Sequence, residues 1–192
     1  MLELIKKIRQ QTGAGMVDVK KALEESDNDE KKAIEILRKR GQSKAVKKAD
    51  RVAKEGIIGS YIHSNEKIGA MVKVYCETDF VARNEEFKEL AKDIAMHISA
   101  TSPLVLNPED VEDSLVEKEK EIWMEQLKDE KKPEEIMRKI MEGKEKKFRE
   151  EISLMTQQFV KNPDITIKDL ISEKIGKIGE NIKIGEFIRF EL

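Results

Sequence analysis

The sequence offers few side chains with the type and spacing that catalysis or metal binding requires. His63 and His97 are its two histidines, and neither has a second ligand nearby at a spacing typical of metal sites. Cys76 alternates in phase with Val72 and Val74, so we expect a buried core thiol rather than a nucleophile. The sequence therefore predicts no catalytic residue, no metal site and no cofactor, and the protein is not expected to be an enzyme.

Other segments with possible chemistry also have ordinary structural interpretations. The glycine-containing segment GKIGEN, residues 176–181, matches neither the GxxxxGK[ST] phosphate loop nor a strand–GxGxxG–helix unit, and it predicts a turn before the last strand. Glu85 and Glu86 stand at a predicted helix start, where carboxylates suit the positive end of the helix dipole. Trp123 could be packed or could form an exposed contact, and the sequence leaves both possibilities open.

The pair Asp79–Phe80, within VYCETDFVARNEEF at 74–87, is harder to explain. It follows a predicted strand and precedes a helix that Asn84 is placed to cap. An acid and a large apolar ring therefore lie side by side in the segment that connects the strand to the helix. In one interpretation Thr78 or Asp79 caps a helical turn and Phe80 folds back on the core. In the other, Phe80 enters a pocket of a partner protein and Asp79 accepts charge-assisted hydrogen bonds there.

The overall charge is nearly balanced. The 192 residues include 37 Lys and Arg and 39 Asp and Glu, which gives a formal net charge of −2. This balance gives no general attraction to nucleic acid or anionic lipid, so we expect no direct nucleic-acid binding and no membrane binding. The single cysteine excludes an intramolecular disulfide, and no signal peptide or apolar run of ~20 residues is present. We therefore expect a soluble, cytoplasmic protein.

The elements that must position these residues begin with three short helices in residues 1–40. Apolar stripes mark each helix, TGAG at 12–15 breaks the first, and Asp29 can cap the third, which is expected to end at Gly41. Residues 41–55 are predicted to form a basic linker helix. The surrounding run 38–54 carries eight Lys or Arg and would be either a solvated tether or a docking surface for an acidic partner.

Residues 56–192 are predicted to form one α+β core domain. Alternation at 56–64 and 68–77 predicts an antiparallel hairpin. A lone hairpin is unstable, so the last strand is expected to join it in a three-stranded antiparallel sheet. In that strand one face is expected to hold Ile182, Ile184, Ile188, Phe190 and Leu192.

Helices fill the rest of the predicted core. A helix capped by Asn84 carries an apolar stripe, which comprises Phe87, Leu90, Ala91, Ile94 and Ile98. A charged helical stretch is expected to begin with Pro108 in its first position, to run to Lys132 and to restart at Pro133, with Gly143 as a stop. A further helix is expected over 148–159, closed by Asn-Pro at 162–163, and Thr166 with Asp169 fits a capping box for another.

Several of these stretches together resemble bacterial elongation factor Ts. The likeness lies in TGAGMVDVKKALEESDNDEKKAIEILRKRG, ETDFVARNEEF, FVKNPDITI and GKIGENIKIGEFIRFE, and it covers essentially the whole chain. The resemblance implies a three-helix module of the ubiquitin-associated type at 1–40, a core domain, and guanine nucleotide exchange on elongation factor Tu.

The resemblance also implies roles for particular residues. The element that dislodges Mg²⁺ from the partner would comprise Thr78, Asp79, Phe80 and Val81. The contact loop would be completed by Ala82, Arg83 and Asn84. The helical module would dock on the GTPase domain of the partner through Thr12, Gly13, Ala14, Gly15, Met16 and Val17.

The chain departs from the longer members of that family. It lacks their coiled-coil insertion and second core half, so we expect a homodimer that binds two partner molecules in a 2:2 complex. Gln158 stands where a proline is common. The alternative function is a ubiquitin-like or peptide-binding adaptor built on residues 1–40, and a nucleic-acid binder using 38–54 is disfavoured by the near-neutral charge and scarce aromatics.

Overall fold

Three helices precede the first strands, and helices and strands are interspersed in the rest of the chain, which a computed structural model describes for residues 1–128 and 133–192. The predicted helix end at Lys132 lies outside the described residues. The helices are α1 Leu2–Thr12, α2 Met16–Glu25, α3 Glu30–Val46, α4 Asp79–Ala82, α5 Glu85–Thr101, α6 Asp113–Leu127, α7 Glu134–Glu151 and α8 Ile167–Ile178. The strands are β1 Glu55–Ile62, β2 Ile68–Cys76, β3 Gln158–Phe159, β4 Asn162–Thr166 and β5 Lys183–Glu191.

The first three helices close a small core of their own, as the apolar stripes predict. Ile8, Val19 and Leu23 are fully buried there, and the Asp29 carboxylate accepts a hydrogen bond from the Lys32 amide at 3.1 Å to cap α3. These helices fit the predicted module of the ubiquitin-associated type. The predicted domain boundaries at 1–40, 41–55 and 56–192 stay predictions.

The predicted end of the third helix at Gly41 is wrong, because α3 continues to Val46 and is followed by turns at 47–51. Gly41 lies against α8, where its Cα is 3.5 Å from the position that a Cβ on Gly176 would take. Gln42 Nε2 also donates to Asp169 Oδ1 at 2.9 Å. Packing against a second helix thus keeps this glycine helical, although glycine alone favours a helix end.

The predicted three-stranded antiparallel sheet is confirmed, with β2 between β1 and β5. Its inner face carries the predicted buried set Val72, Val74 and Cys76, and α5 packs across it with Phe87, Leu90, Ala91, Ile94 and Ile98 buried. The fold class is therefore α+β, with the main core between the sheet and α5.

The last strand does not keep one apolar face. Val72 pairs with Phe187 and Val74 with Ile184, so three steps of β5 lie opposite two steps of β2. This bulge reverses the inward and outward alternation. Ile182 and Ile184 are consequently buried, whereas Ile188, Phe190 and Leu192 are exposed, and the prediction of a shared face is wrong.

The segment 108–159 differs from its prediction in several places. Pro108 begins a single 3-10 turn with Asn107 as its cap, and α6 begins later, at Asp113. Gly143 does not stop a helix, because α7 runs through it to Glu151. Trp123 is packed, with its ring 5.8 Å from that of Phe148 in an edge-to-face arrangement.

The predicted helix over 148–159 is also wrong beyond Glu151. The Ser153 hydroxyl donates to the Arg149 carbonyl at 2.6 Å, and the Leu154 amide donates to the Val105 carbonyl at 2.9 Å. With these bonds α7 ends at Glu151 and the chain continues to the β3–β4 hairpin. Asn162 and Pro163 are therefore the first residues of β4 and do not close a helix. The next prediction is confirmed, because Thr166 and Asp169 form the capping box of α8.

The close approach of β1 to α5 gives a stability prediction. A Cβ added to Gly59 would lie 2.5 Å from the Ala91 carbonyl oxygen, so Gly59→Ala must displace the sheet or α5. We expect it to lower the free energy of unfolding by about 1–3 kcal/mol in urea denaturation. Gly143→Ala is the control, since nothing lies within 4 Å of its Cβ position inside α7, and it should raise stability by about 0.5–1 kcal/mol. Equal stability of the two variants would contradict this packing.

Candidate functional site

The connection between β2 and α5 consists of two helix starts in series. Thr78 caps the one-turn helix α4, since its hydroxyl oxygen accepts a hydrogen bond from the Val81 amide at 3.4 Å. Two residues after α4, the Asn84 side chain accepts from the Glu86 amide at 2.8 Å and caps α5. Because a cap fixes the backbone at each helix start, the connection is a defined corner.

The corner directs Phe80 outward. Val81 and Ala82 are buried against the core, and the side chain one position before them is 79% exposed. The interpretation in which Thr78 caps a helical turn is therefore confirmed in its first half only. Phe80 does not fold back on the core, and it is the most exposed phenylalanine among the described residues.

Polar groups flank the exposed ring. The Asp79 carboxylate lies 2.9 Å from Arg83 Nη2, and both side chains are largely exposed. Ion pairs in such a position contribute little to stability, because solvent screens them and holding two side chains costs entropy. Asp79 can therefore exchange its partner for another donor at small cost.

The second predicted contact segment, 12–17, spans the tight turn between α1 and α2. Gly13 takes a left-handed conformation with φ of 65°, and Thr12 accepts from the Ala14 amide at 3.3 Å. Gly15 is the extended N-cap residue of α2. Met16 and Val17 follow in the first turn of α2 with exposed side chains, so this turn also presents apolar groups to solvent.

One side chain of α8 touches both the turn at 12–17 and the start of α5, which follows the corner. A Cβ on Gly13 would lie 2.7 Å from Cδ of Lys177, and Lys177 Nζ lies 2.6 Å from Glu86 Oε1 at the start of α5. Lys174 Nζ is 2.8 Å from the same oxygen. Burial raises the pKa of Glu86, but hydrogen bonds from both lysines outweigh it and hold that pKa below its usual value. Glu86 is therefore an ionised anchor between α8 and the corner.

The histidines and the cysteine lie in structural positions. His97 is fully buried, with Gln157 Oε1 3.0 Å from Nε2, while His63 is exposed beside the Tyr61 hydroxyl. Cys76 is buried as predicted, and burial raises the pKa of its thiol to about 11. In residues 1–128 and 133–192 no group of three or more His, Cys, Asp or Glu side chains is arranged to hold a metal ion.

Sequence reasoning missed Glu180. The prediction of a turn over 176–181 is wrong in its first half, because α8 runs to Ile178; within that segment only 179–181 lie between α8 and β5, with Gly179 closing the helix in a left-handed conformation. Glu180 in this connection accepts hydrogen bonds from the start of the corner, 102 residues earlier in the chain. No local pattern could have indicated a contact between groups so far apart in sequence.

No helix within the part of the chain that the structure describes has the length and apolar character needed to cross a bilayer.

Fold and site together define a class of protein. It is a mixed α+β protein in which an N-terminal module of the ubiquitin-associated type packs on a core, with exposed apolar side chains at two turns. The chain belongs to the elongation factor Ts family, since the family model described as Elongation factor TS matches residues 1–192. This membership places the protein among the translation elongation factors.

Individual relatives agree along nearly the full length. Elongation factor Ts of Carboxydothermus hydrogenoformans is 52% identical, covering 99% of this chain and 88% of the relative. Elongation factor Ts of Thermosipho melanesiensis is 55% identical over 98% of this chain and 96% of the relative. The protein of the same name from Thermodesulfovibrio yellowstonii is 54% identical, covering 99% and 94% respectively.

The burial of His97 predicts a pH dependence of stability. Burial lowers the pKa of His97, partly offset by the hydrogen bond to Gln157, so the unfolded chain binds more protons than the native state below the unfolded pKa of ~6.5. Stability should therefore fall as the pH drops from 7.5 to 5.5. We expect His97→Gln to reduce the slope of unfolding free energy against pH, measured by urea denaturation, and His63→Gln to leave it unchanged. Equal slopes in both variants would contradict the assignment.

Proposed function

We propose that this protein is a guanine nucleotide exchange factor that binds elongation factor Tu with GDP, displaces Mg²⁺ and promotes GDP release so that GTP can bind. The observation that carries the proposal is the Phe80 ring, 79% exposed on a corner capped by Thr78 and Asn84. An exposed aromatic side chain on a fixed backbone is suited to anchor an interface. Family membership supports the same partner, and such a factor would act in the cytoplasm.

The mechanism requires no bond chemistry in this chain. A factor that binds the nucleotide-free partner more tightly than the GDP form weakens GDP binding by the same factor. In bound GDP the metal neutralises the diphosphate charge, so a side chain that disturbs the metal ligands loosens the nucleotide. Phe80 would force the partner aside near the metal, and Asp79 would compete for the polar groups of the partner.

Burial of the Phe80 ring alone supplies too little free energy to accelerate GDP release strongly. Speeding GDP release ~10⁴-fold requires ~5.5 kcal/mol less barrier. Burying one phenylalanine side chain supplies about 1.5–3 kcal/mol, and only contacts made in the open state lower the barrier. The rest must come from neighbours such as Asp79 and Arg83, whose side chains are exposed beside the ring.

Four other residues of the predicted element and contact loop hold the corner in place. Val81 and Ala82 are buried, and the Thr78 and Asn84 side chains are occupied as caps. We infer that these four residues serve exchange by fixing the direction of Phe80, Val81 and Ala82 by filling the core and Thr78 and Asn84 as exposed caps.

The helical module would supply affinity. Met16 and Val17 are exposed at the start of α2, and the Lys177 contact holds the preceding turn at a fixed place relative to the corner. A contact made equally in all states of the partner tightens binding without accelerating release. Variants at Met16 and Val17 should therefore shift the concentration of factor needed, whereas Phe80 governs the maximal rate.

The adaptor hypothesis uses the same module differently. An adaptor built on residues 1–40 would lose all partner binding when Met16 and Val17 become serine. An exchange factor should keep a weakened interaction through the corner at 78–84, which calorimetry with elongation factor Tu would detect.

The outer face of the sheet supports the predicted homodimer. Across its three strands, large apolar side chains are exposed on the side away from α5, namely Ile58, Ile62, Met71, Ile188 and Phe190. Monomeric proteins rarely expose contiguous apolar patches of this kind. A second copy brings the same face, so a two-fold interface would cover both patches and leave each corner free for one partner, giving the 2:2 complex.

The exchange proposal predicts a selective defect in Phe80→Ala. We expect the maximal rate of fluorescent-GDP release from elongation factor Tu to fall about 30-fold, because ~2 kcal/mol of interface burial is lost. The unfolding free energy should change by less than about 0.5 kcal/mol, since the ring is exposed. Leu104→Ala, at another exposed apolar residue, should keep the parental rate. A parental rate in Phe80→Ala would refute the role of the ring.

The dimer proposal predicts that a single charged side chain in the interface separates the two copies. Met71 lies on the central strand between Ser60 and Ile188, so Met71→Glu would bury an unpaired carboxylate in the interface. We expect sedimentation velocity at micromolar concentration to show a dimer for the parent and a monomer for this variant. Ile122→Glu, on the half-exposed face of α6, should remain dimeric. A monomeric parent would contradict the proposal.

A further inference from the structure

Glu180 binds the base of the corner through both of its carboxylate oxygens. The Thr78 hydroxyl donates to Oε1 at 2.6 Å. The backbone amides of Glu77 and Thr78 both donate to Oε2, at 3.0 and 3.1 Å. All three donors belong to the two residues that immediately precede α4.

The segment that carries Glu180 is itself fixed from the other side. The next residue, Asn181, is 2% exposed, and its side-chain amide donates to the carbonyls of Ala49 at 3.2 Å and Arg51 at 2.8 Å. Its backbone amide donates to Glu77 Oε1 at 2.6 Å. Hydrogen bonds of Asn181 therefore hold the backbone next to Glu180 in place. One of these bonds goes to the Glu77 carboxylate beside the corner.

The contact determines how the Thr78 hydroxyl is oriented. This hydroxyl has a single hydrogen, which is directed to Glu180, and its lone pair then accepts from the Val81 amide. Hydrogen bonds to an ionised acceptor are about twice as strong as neutral ones. Glu180 thus holds the cap of α4 in the rotamer that starts the helical turn, and the direction of Phe80 follows from that turn.

We propose that Glu180 is a positioning residue for Phe80, which acts through the Thr78 cap and does not touch the partner. The proposal rests on the exchange function proposed above. A carboxylate suits the site because three donors converge on two oxygens; a glutamine whose oxygen accepted from the two backbone amides would turn its NH₂ group, which cannot accept, to the Thr78 hydroxyl. Displacing a group by about 1 Å from the position in which it speeds a process can cost up to about 10²-fold in rate.

The test uses Glu180→Gln in the full-length protein. We expect the maximal rate of stimulated GDP release to fall about tenfold, while the half-saturating concentration of factor changes less than about twofold. Amide hydrogen exchange at Glu77, Thr78 and Val81 should accelerate, and exchange within α5 should not. Asp110→Asn is the matched control, because this carboxylate also accepts a backbone amide, that of Asn107 at 2.9 Å, far from the corner in sequence. It should leave the rate of GDP release and these amides unchanged.

Further variants separate this inference from the function on which it rests. In a Phe80→Ala background, Glu180→Gln should cause a smaller loss of rate than in the parent, since the ring is no longer there to position and only Asp79 and Arg83 remain. A slow Phe80→Ala together with a parental Glu180→Gln would overturn the inference and leave the exchange function standing. A parental rate in Phe80→Ala would overturn the function itself. A raised half-saturating concentration in Glu180→Gln would mean direct partner contact and would also overturn the positioning role.

Discussion

The hydrogen bond from the Val81 amide to the Thr78 hydroxyl determines which way the corner after β2 faces. With that cap in place, Val81 and Ala82 fill the core, and the ring of Phe80 is left in solvent. Leaving a phenylalanine exposed forgoes about 1.5–3 kcal/mol that burial would contribute. A fold with a net stability of roughly 5–15 kcal/mol can retain such an arrangement only when the surrounding contacts enforce it. Here the enforcing contacts are local caps and two buried neighbours.

Helix α8 connects the corner to the N-terminal module. Gly41 and Gly176 let α3 and α8 approach closely, and Lys177 contacts both the turn at Gly13 and Glu86 at the start of α5. The exposed apolar groups of α2 and α4 are therefore held in one framework. A partner that binds both need not order a flexible linker between them, so less of the binding energy is lost to conformational entropy.

Local chemistry was enough to predict much of this fold. The caps at Asp29, Asn84 and Thr166 depend on residues within three positions, and they appear where the sequence predicts them. The failures at Gly41 and Gly143 have a different cause. Glycine permits a helix end without requiring one, so tertiary packing or the remaining helical propensity decides.

Predictions that depended on distant contacts were less secure. The bulge in β5 exchanged the inner and outer faces of the strand, and alternation in the sequence cannot reveal where an extra residue is inserted. The exposure of Phe80 also stayed open, because the two interpretations differ in whether its ring reaches the core of this protein or a partner, and the neighbouring residues in the sequence do not decide that. Glu180 had no sequence signal at all.

The most direct measurement is photo-crosslinking from position 80. A benzophenone amino acid replaces Phe80 in one preparation and the comparably exposed Leu104 in another, and each is irradiated with elongation factor Tu. We expect efficient crosslinking to the nucleotide-free partner from position 80, strong suppression by excess GDP with Mg²⁺, and little crosslinking from position 104. Crosslinks from position 80 that stay within this chain, or that GDP and Mg²⁺ leave unchanged, would contradict the proposed role of Phe80.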